Sequence, residues 1–266
     1  MSLTIDEVPP WLQFNKFILT GYRPQLSVLG CLRTLFTWHN ESINVWSHLV
    51  PAMCLIYLNW HSPHEAIFFR LAMLSFLFIF SASSCYHLLM PCCRSADGYR
   101  HLICTDVMGA LLSITMSAYT FILHGYKCTD PMIVAVIATC FGCYAVFLGY
   151  IIMFSTMTVA QRFALFGTQC IFRVLLAVYL LRPKYIATGY HQSYYYHMVS
   201  FVVLVIGGLF NISRVPERWF PEWRILDCLM NSHNIWHYFC VLTTVMTMIG
   251  AFYDQLEYDV TECPTS

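Results

Sequence analysis

The 266-residue chain is 58% hydrophobic and 11% charged, with no net formal charge and a mean hydropathy of +0.60. Soluble domains carry about 25% charged residues, so this composition excludes an ordinary water-soluble fold and places the chain in a bilayer. Neutrality and the lack of a long basic run exclude nucleic acid as a partner.

Residues 1–43 read as a polar N-terminal segment. Asp6, Glu7, Pro9 and Pro10 interrupt its start, which lacks the apolar core of a cleavable signal peptide. Seven apolar stretches follow, each near the roughly 20 residues that cross about 30 Å of hydrocarbon. They are Asn44–Trp60, Ala66–Leu89, Leu102–Leu123, Pro131–Phe154, Phe163–Leu181, Tyr194–Phe210 and Asn234–Tyr253. Connections are short apart from Asn211–His233, which contains Pro216 and Pro221. Residues 254–266 read as an acidic tail with Asp254, Glu257, Asp259 and Glu262. The 13 cysteines are scattered, mostly inside apolar stretches. Cys140-Phe-Gly-Cys143 reads as packing and Cys92-Cys93 as a candidate acylation site, and no disulfide framework is evident. The expected fold is an all-α membrane protein, a seven-transmembrane helix bundle over residues 44–253.

Orientation follows from lysine and arginine. The N-terminal side carries Lys16, Arg23, Arg33, Arg94, Arg100, Arg162, Arg214, Arg218 and Arg224, and the opposite side Arg70, Lys127, Arg182 and Lys184. Nine against four puts the N-terminus in the cytoplasm and the C-terminus outside or in a lumen. The sequons at Asn40 and Asn211 then face the cytoplasm and are chance matches.

This topology brings three fragments to one membrane depth: Ser83-x-x-x-His87 ends the second span, Asp106 lies early in the third, and His233-x-x-x-His237 opens the seventh. Ionisable residues are costly in lipid and usually mark a site there. His233 and His237, four apart on a helix, face the same way at about 6 Å. With His87 they offer three imidazoles and leave a fourth position for water, the arrangement of a catalytic zinc. Asp106 is placed to orient or deprotonate that water, and Ser83 to join its hydrogen-bond network. Asn234 stands where the zincin motif needs glutamate, so this is not that motif. Of the other histidines, His61, His64, His124 and His191 fall in outer loops, His39 and His101 are interfacial, and His197 is near the sixth span's outer end. All seven read as surface residues.

Glu41, Asn44 and His48 share one helical face. Either they form a polar face at an interface, with Glu41 favoured by the helix dipole, or a buried hydrogen-bonded network fastens the first helix to the bundle. The second reading is preferred. Arg173 falls inside the fifth span, and its role stays open between a partner for a lipid carboxylate or amide head and a structural arginine bonded to backbone carbonyls.

These residues resemble the progestin and adipoQ receptors, the family that includes the adiponectin receptors and haemolysin III-like proteins. The resemblance runs from Leu12 to about Tyr253. Its carriers are Gly21-Tyr22-Arg23, the stretch from His39 to His48, Ser83-x-x-x-His87, Asp106-x-x-Gly109, Val215-Pro-Glu-Arg218 and the stretch from Ser232 to His237. The short N-terminus is similar to family forms without a long cytoplasmic head. Asn234 departs from the glutamine of many relatives. The resemblance implies a seven-helix bundle with zinc held by His87, His233 and His237 near the inner leaflet, and Asp106 and Ser83 at its water. It also implies ceramidase activity, seen in the adiponectin-receptor branch, with ceramide, sphingoid base, fatty acid or steroid as membrane lipid partners.

Two functions therefore stand: a zinc amidohydrolase acting on ceramide-like lipids, and a lipid or steroid receptor or scaffold whose zinc is purely structural. A proton or ion pathway is weaker, because Arg173 stands nearly alone at mid-depth. The expected location is the plasma membrane or the Golgi and endomembranes, and homo- or hetero-oligomers are compatible with the sequence.

Overall fold

The computed structural model describes residues 2–61, 67–155 and 157–263. Within them the chain is helical, and the only extended pairing is a bridge of Leu3 with Tyr22. A short helix, α1 (Val28–Arg33), precedes α2 (Ser42–His61), α3 (Ile67–Leu89), α4 (Ala96–His124), α5 (Pro131–Phe154), α6 (Val159–Thr188), α7 (Gln192–Ser213) and α8 (Ser232–Val260). Each expected span is thus a helix. Ala66, read as the start of the second span, and His64 lie outside the described residues, as do residues 264–266 of the C-terminal segment.

Local chemistry sets the ends. Asp130 caps α5 by accepting from Met132 N–H at 2.7 Å, with Pro131 in the first turn. Thr158 and Gln161 cap α6 reciprocally, and Gly189 ends it at φ 76°. Among the described residues, the helices from α3 to α8 are long and apolar enough to cross a membrane. Asn44, Ser47, His48 and Asn59 dilute the hydropathy of α2, which does not meet that standard.

The chain divides into two compact units. The first comprises Met1–Cys54, Phe80–Asp106 and Val203–Val241. The N-terminal segment belongs to it: Val8, Leu12, Ile18 and Tyr22 are buried in one cluster with Tyr86 and Met90. Arg23 donates to the carbonyls of His87 at 2.6 Å and Leu88 at 2.9 Å, satisfying acceptors that the end of α3 leaves open. Asp227 accepts from the backbone N–H groups of Leu19 and Thr20 at 3.0 and 3.1 Å. At the start of α8, Glu217 accepts from Ser232 N–H at 2.7 Å, and the Asn231 side chain accepts from the N–H groups of His233 and Asn234. Three of the four orphan donors of that helix are satisfied this way. On α7, a Cβ on Gly207 would lie 2.4 Å from Phe239 Cβ. Glycine there allows the close approach of α7 and α8.

The second unit comprises Leu55–Ile79, Val107–Val202 and Leu242–Ser266. Its apolar core includes Phe121, Ile122, Phe141, Leu180 and Leu181. Beside this core lies a buried ionic cluster. Asp254 accepts from Thr120 at 2.9 Å, His197 at 2.8 Å and the Ser193 hydroxyl. Arg173 donates to His197 Nδ1 at 3.2 Å and lies over the Phe121 ring. Lys184, fully buried, pairs with Glu257.

This cluster corrects several expectations. Asp254 and Glu257 belong to α8, which runs past Tyr253, and not to a tail. Lys184 lies in α6 and not in a loop, because that helix continues through Pro183. His197 is buried rather than superficial, and Arg173 is not alone. Arg173 also bonds an imidazole instead of backbone carbonyls. Cys128 and Cys263, 135 residues apart, form a disulfide that no spacing pattern signals.

Removing one member of a buried ion pair strands the other, at a cost of about 3–5 kcal/mol, whereas replacing both with apolar residues is often neutral. Lys184→Met is therefore expected to lower the melting temperature of the detergent-solubilised protein sharply. The double change Lys184→Met/Glu257→Leu should restore most of the loss.

Candidate metal centre

Three imidazoles come together in the first unit. His87 ends α3, and His233 and His237 lie one turn apart at the start of α8, with one ring nitrogen from each within 4.8 Å of the others. His87 and His237 are buried, while His233 is partly open.

The hydrogen bonds select which nitrogen faces the centre. His87 Nδ1 meets Glu41 Oε2 at 2.8 Å, His233 Nδ1 meets Asn211 Oδ1 at 3.2 Å, and His237 Nδ1 meets Ser47 Oγ at 3.0 Å. The carboxylate and amide oxygens can only accept. The Ser47 hydroxyl also contacts the Asn44 carbonyl at 3.2 Å, where it must donate. All three Nδ1 atoms are thereby assigned as N–H donors. Each ring then keeps its lone pair on Nε2. His87 Nε2 and His233 Nε2 stand 3.4 Å apart, and two lone pairs so close need a cation or a proton between them. Imidazole–metal bonds of about 2.05 Å in a tetrahedral arrangement give a nitrogen–nitrogen edge of about 3.4 Å. The donor set fits a metal ion.

The support extends outward. Glu41 also accepts from Asn44 Nδ2 at 2.7 Å, and Asn234 donates to Asn44 Oδ1 at 2.7 Å. Asn234, which departs from the resembled pattern, thus fixes the amide that holds Glu41. Burial opposes the Glu41 charge, but the His87 and Asn44 hydrogen bonds outweigh it and hold the carboxyl below the usual carboxylate range. Its contribution to stability is complete above the ordinary carboxylate value and is lost as the pH falls below it. Carboxylates that orient a metal-binding histidine typically matter 10–100-fold for metal affinity. Glu41→Gln should weaken metal binding by about that factor, as read by competition with a chelator.

Ser83 is buried on α3 and hydrogen-bonds the Asp106 side chain, which lies near His87. Sequence reasoning did not single out Ser47, nor Asn211 beyond its sequon. Both asparagines of the two sequons are buried, so neither is available for glycosylation in the folded protein. Glu41 and Asn44 are buried and hydrogen-bonded to each other. His48 does not join them: neither of its ring nitrogens makes a hydrogen bond of ordinary geometry, and it stacks on His237 instead.

The chain matches the haemolysin-III related family over residues 36–248. It is 31% identical to progestin and adipoQ receptor family member 4 of Mus musculus, across 96% of this chain and 94% of the relative. Identity to heptahelical transmembrane protein 1 of Arabidopsis thaliana is 27%, covering 89% and 76%. For membrane progestin receptor alpha of Homo sapiens it is 28%, covering 91% and 74%. Together with the six membrane-competent helices among the described residues, these likenesses identify an integral, multi-pass membrane protein that belongs to the haemolysin III-related family of progestin and adipoQ receptors.

Proposed function

We propose that the protein is a seven-span membrane hydrolase whose three-histidine centre takes zinc and cleaves the amide of ceramide-like lipids. The observation that carries this reading is the set of three Nε2 donors with every Nδ1 engaged. A structural zinc usually has four protein ligands, whereas three leave a position for water or substrate.

When bound, zinc lowers the pKa of a water to about 7 and polarises a carbonyl oxygen. The chain's own residues do the rest. Glu41, Asn211 and Ser47 hold the three rings in one tautomer and orientation. Asp106 accepts a proton from the attacking water and returns it to the departing amine nitrogen, the role of a general base that becomes a general acid. Ser83 keeps the Asp106 carboxylate in position. Arg173 is read as part of the buried ionic cluster of the second unit and not as a lipid-head ligand.

Two observations support a cytoplasmic N-terminus and an opposite C-terminus. With Lys184 buried in α6, the charge contrast becomes nine against three (four less Lys184). The Cys128–Cys263 disulfide joins the segment after α4 to the segment after α8, and disulfides persist on oxidising faces. The metal centre then sits at the cytoplasmic end. The count of seven spans takes α2 with the six more apolar helices, and a relative described as heptahelical agrees with it.

A second reading draws on relatives described as receptors: a steroid or lipid receptor in which zinc only ties helices together. Fatty-acid release from ceramide by the purified protein in lipid nanodiscs separates the two. Sustained release that stops when a chelator removes zinc is the expected result. No release from zinc-loaded protein would leave the receptor reading.

A further inference from the structure

A buried imidazole brings a donor and an acceptor out of water, and leaving both unpaired is costly. His48, on α2, is 4% exposed and has no ordinary partner for either nitrogen. Its ring lies 3.9 Å from that of His237 and nearly parallel to it, at 17°, with the Phe80 ring 4.8 Å away. Phenylalanine would fill such a slot without orphaned nitrogens, so packing alone does not account for histidine.

The stacking excludes His48 as a fourth metal ligand. An imidazole binds a metal in its own ring plane at about 2.0–2.1 Å. Two imidazoles stacked face to face would not point their ring nitrogens at one shared ion. The nitrogens that converge are accordingly those of His87, His233 and His237. A ring N–H beside the three-histidine cluster suits a different partner, an oxygen atom of a bound ligand.

We propose that His48 contacts the bound ligand, donating a hydrogen bond from its ring to the carbonyl or carboxylate oxygen of a molecule held at the open position. This rests on the open-site reading above. It gives a function to a buried imidazole whose nitrogens make no other hydrogen bond of ordinary geometry. The ligand class is an amide, a carboxylate or an isosteric hydroxamate on an alkyl chain.

Octanohydroxamate serves as the probe, titrated by calorimetry into zinc-loaded wild type, His48→Phe and His48→Gln in nanodiscs, with zinc content measured in parallel. Both variants are expected to keep the wild-type zinc content. His48→Phe should bind the probe about tenfold more weakly or worse, and His48→Gln, which restores a donor, should stay within about threefold of wild type. Equal binding by wild type and His48→Phe would overturn the proposal, and so would loss of zinc in His48→Phe. Zinc-loaded wild type that ignores the probe would overturn the open-site reading and this proposal with it. If phenylalanine prevents folding, His48→Leu against His48→Gln makes the same comparison.

Discussion

His237→Ala is expected to empty the metal centre. Apparent binding energies of structural zinc are about 10–16 kcal/mol. Shared among three or four ligands, each imidazole contributes on the order of 3–4 kcal/mol, or two to three decades of affinity. The change also removes the ring on which His48 stacks and the N–H from which the Ser47 hydroxyl accepts. Zinc measured on the purified variant should fall from about one per chain toward zero, with a clear drop in melting temperature. Ser47→Ala is the control: it keeps the ligand, and its deficit should be far smaller.

Asp106→Asn separates metal binding from chemistry. Asparagine keeps the size of the side chain and a contact for Ser83, and no metal ligand is altered, so zinc content should stay at the wild-type level. A positioned general base contributes about 10²–10⁴-fold. Fatty-acid release from ceramide should fall by that factor while zinc content holds. Loss of zinc in this variant would make Asp106 a ligand. Unchanged release would remove it from the chemistry.

The helices and the three imidazoles are legible in the sequence because lipid imposes simple rules. A run of about twenty apolar residues must be helical, since backbone groups find no water there, and a histidine at its end stands out. Helix ends are less legible. α6 and α8 continue for several residues past their apolar stretches, carrying Lys184, Asp254 and Glu257 with them. Charged residues beyond a hydrophobic run read as loop or tail, yet here they neutralise one another in pairs and are buried. The disulfide is hidden for a related reason, since 135 residues separate its cysteines. Within the candidate site the sequence names the three histidines but not the groups that hold their other ring nitrogens. Ser47 and Asn211 are ordinary polar residues until folding sets them against ring nitrogens. Glu41 stands just before α2 and Asn44 and His48 lie on it, and their spacing alone does not tell which of them hydrogen-bond.

The proposed metal centre has three imidazole ligands and one open position. X-ray absorption spectroscopy at the zinc edge, on protein purified with its native metal, tests it most directly. About one zinc per chain, with three imidazole nitrogens and one light oxygen ligand near 2.0–2.1 Å, is the predicted result. A fourth protein ligand, a sulfur scatterer or a substoichiometric metal would contradict the account.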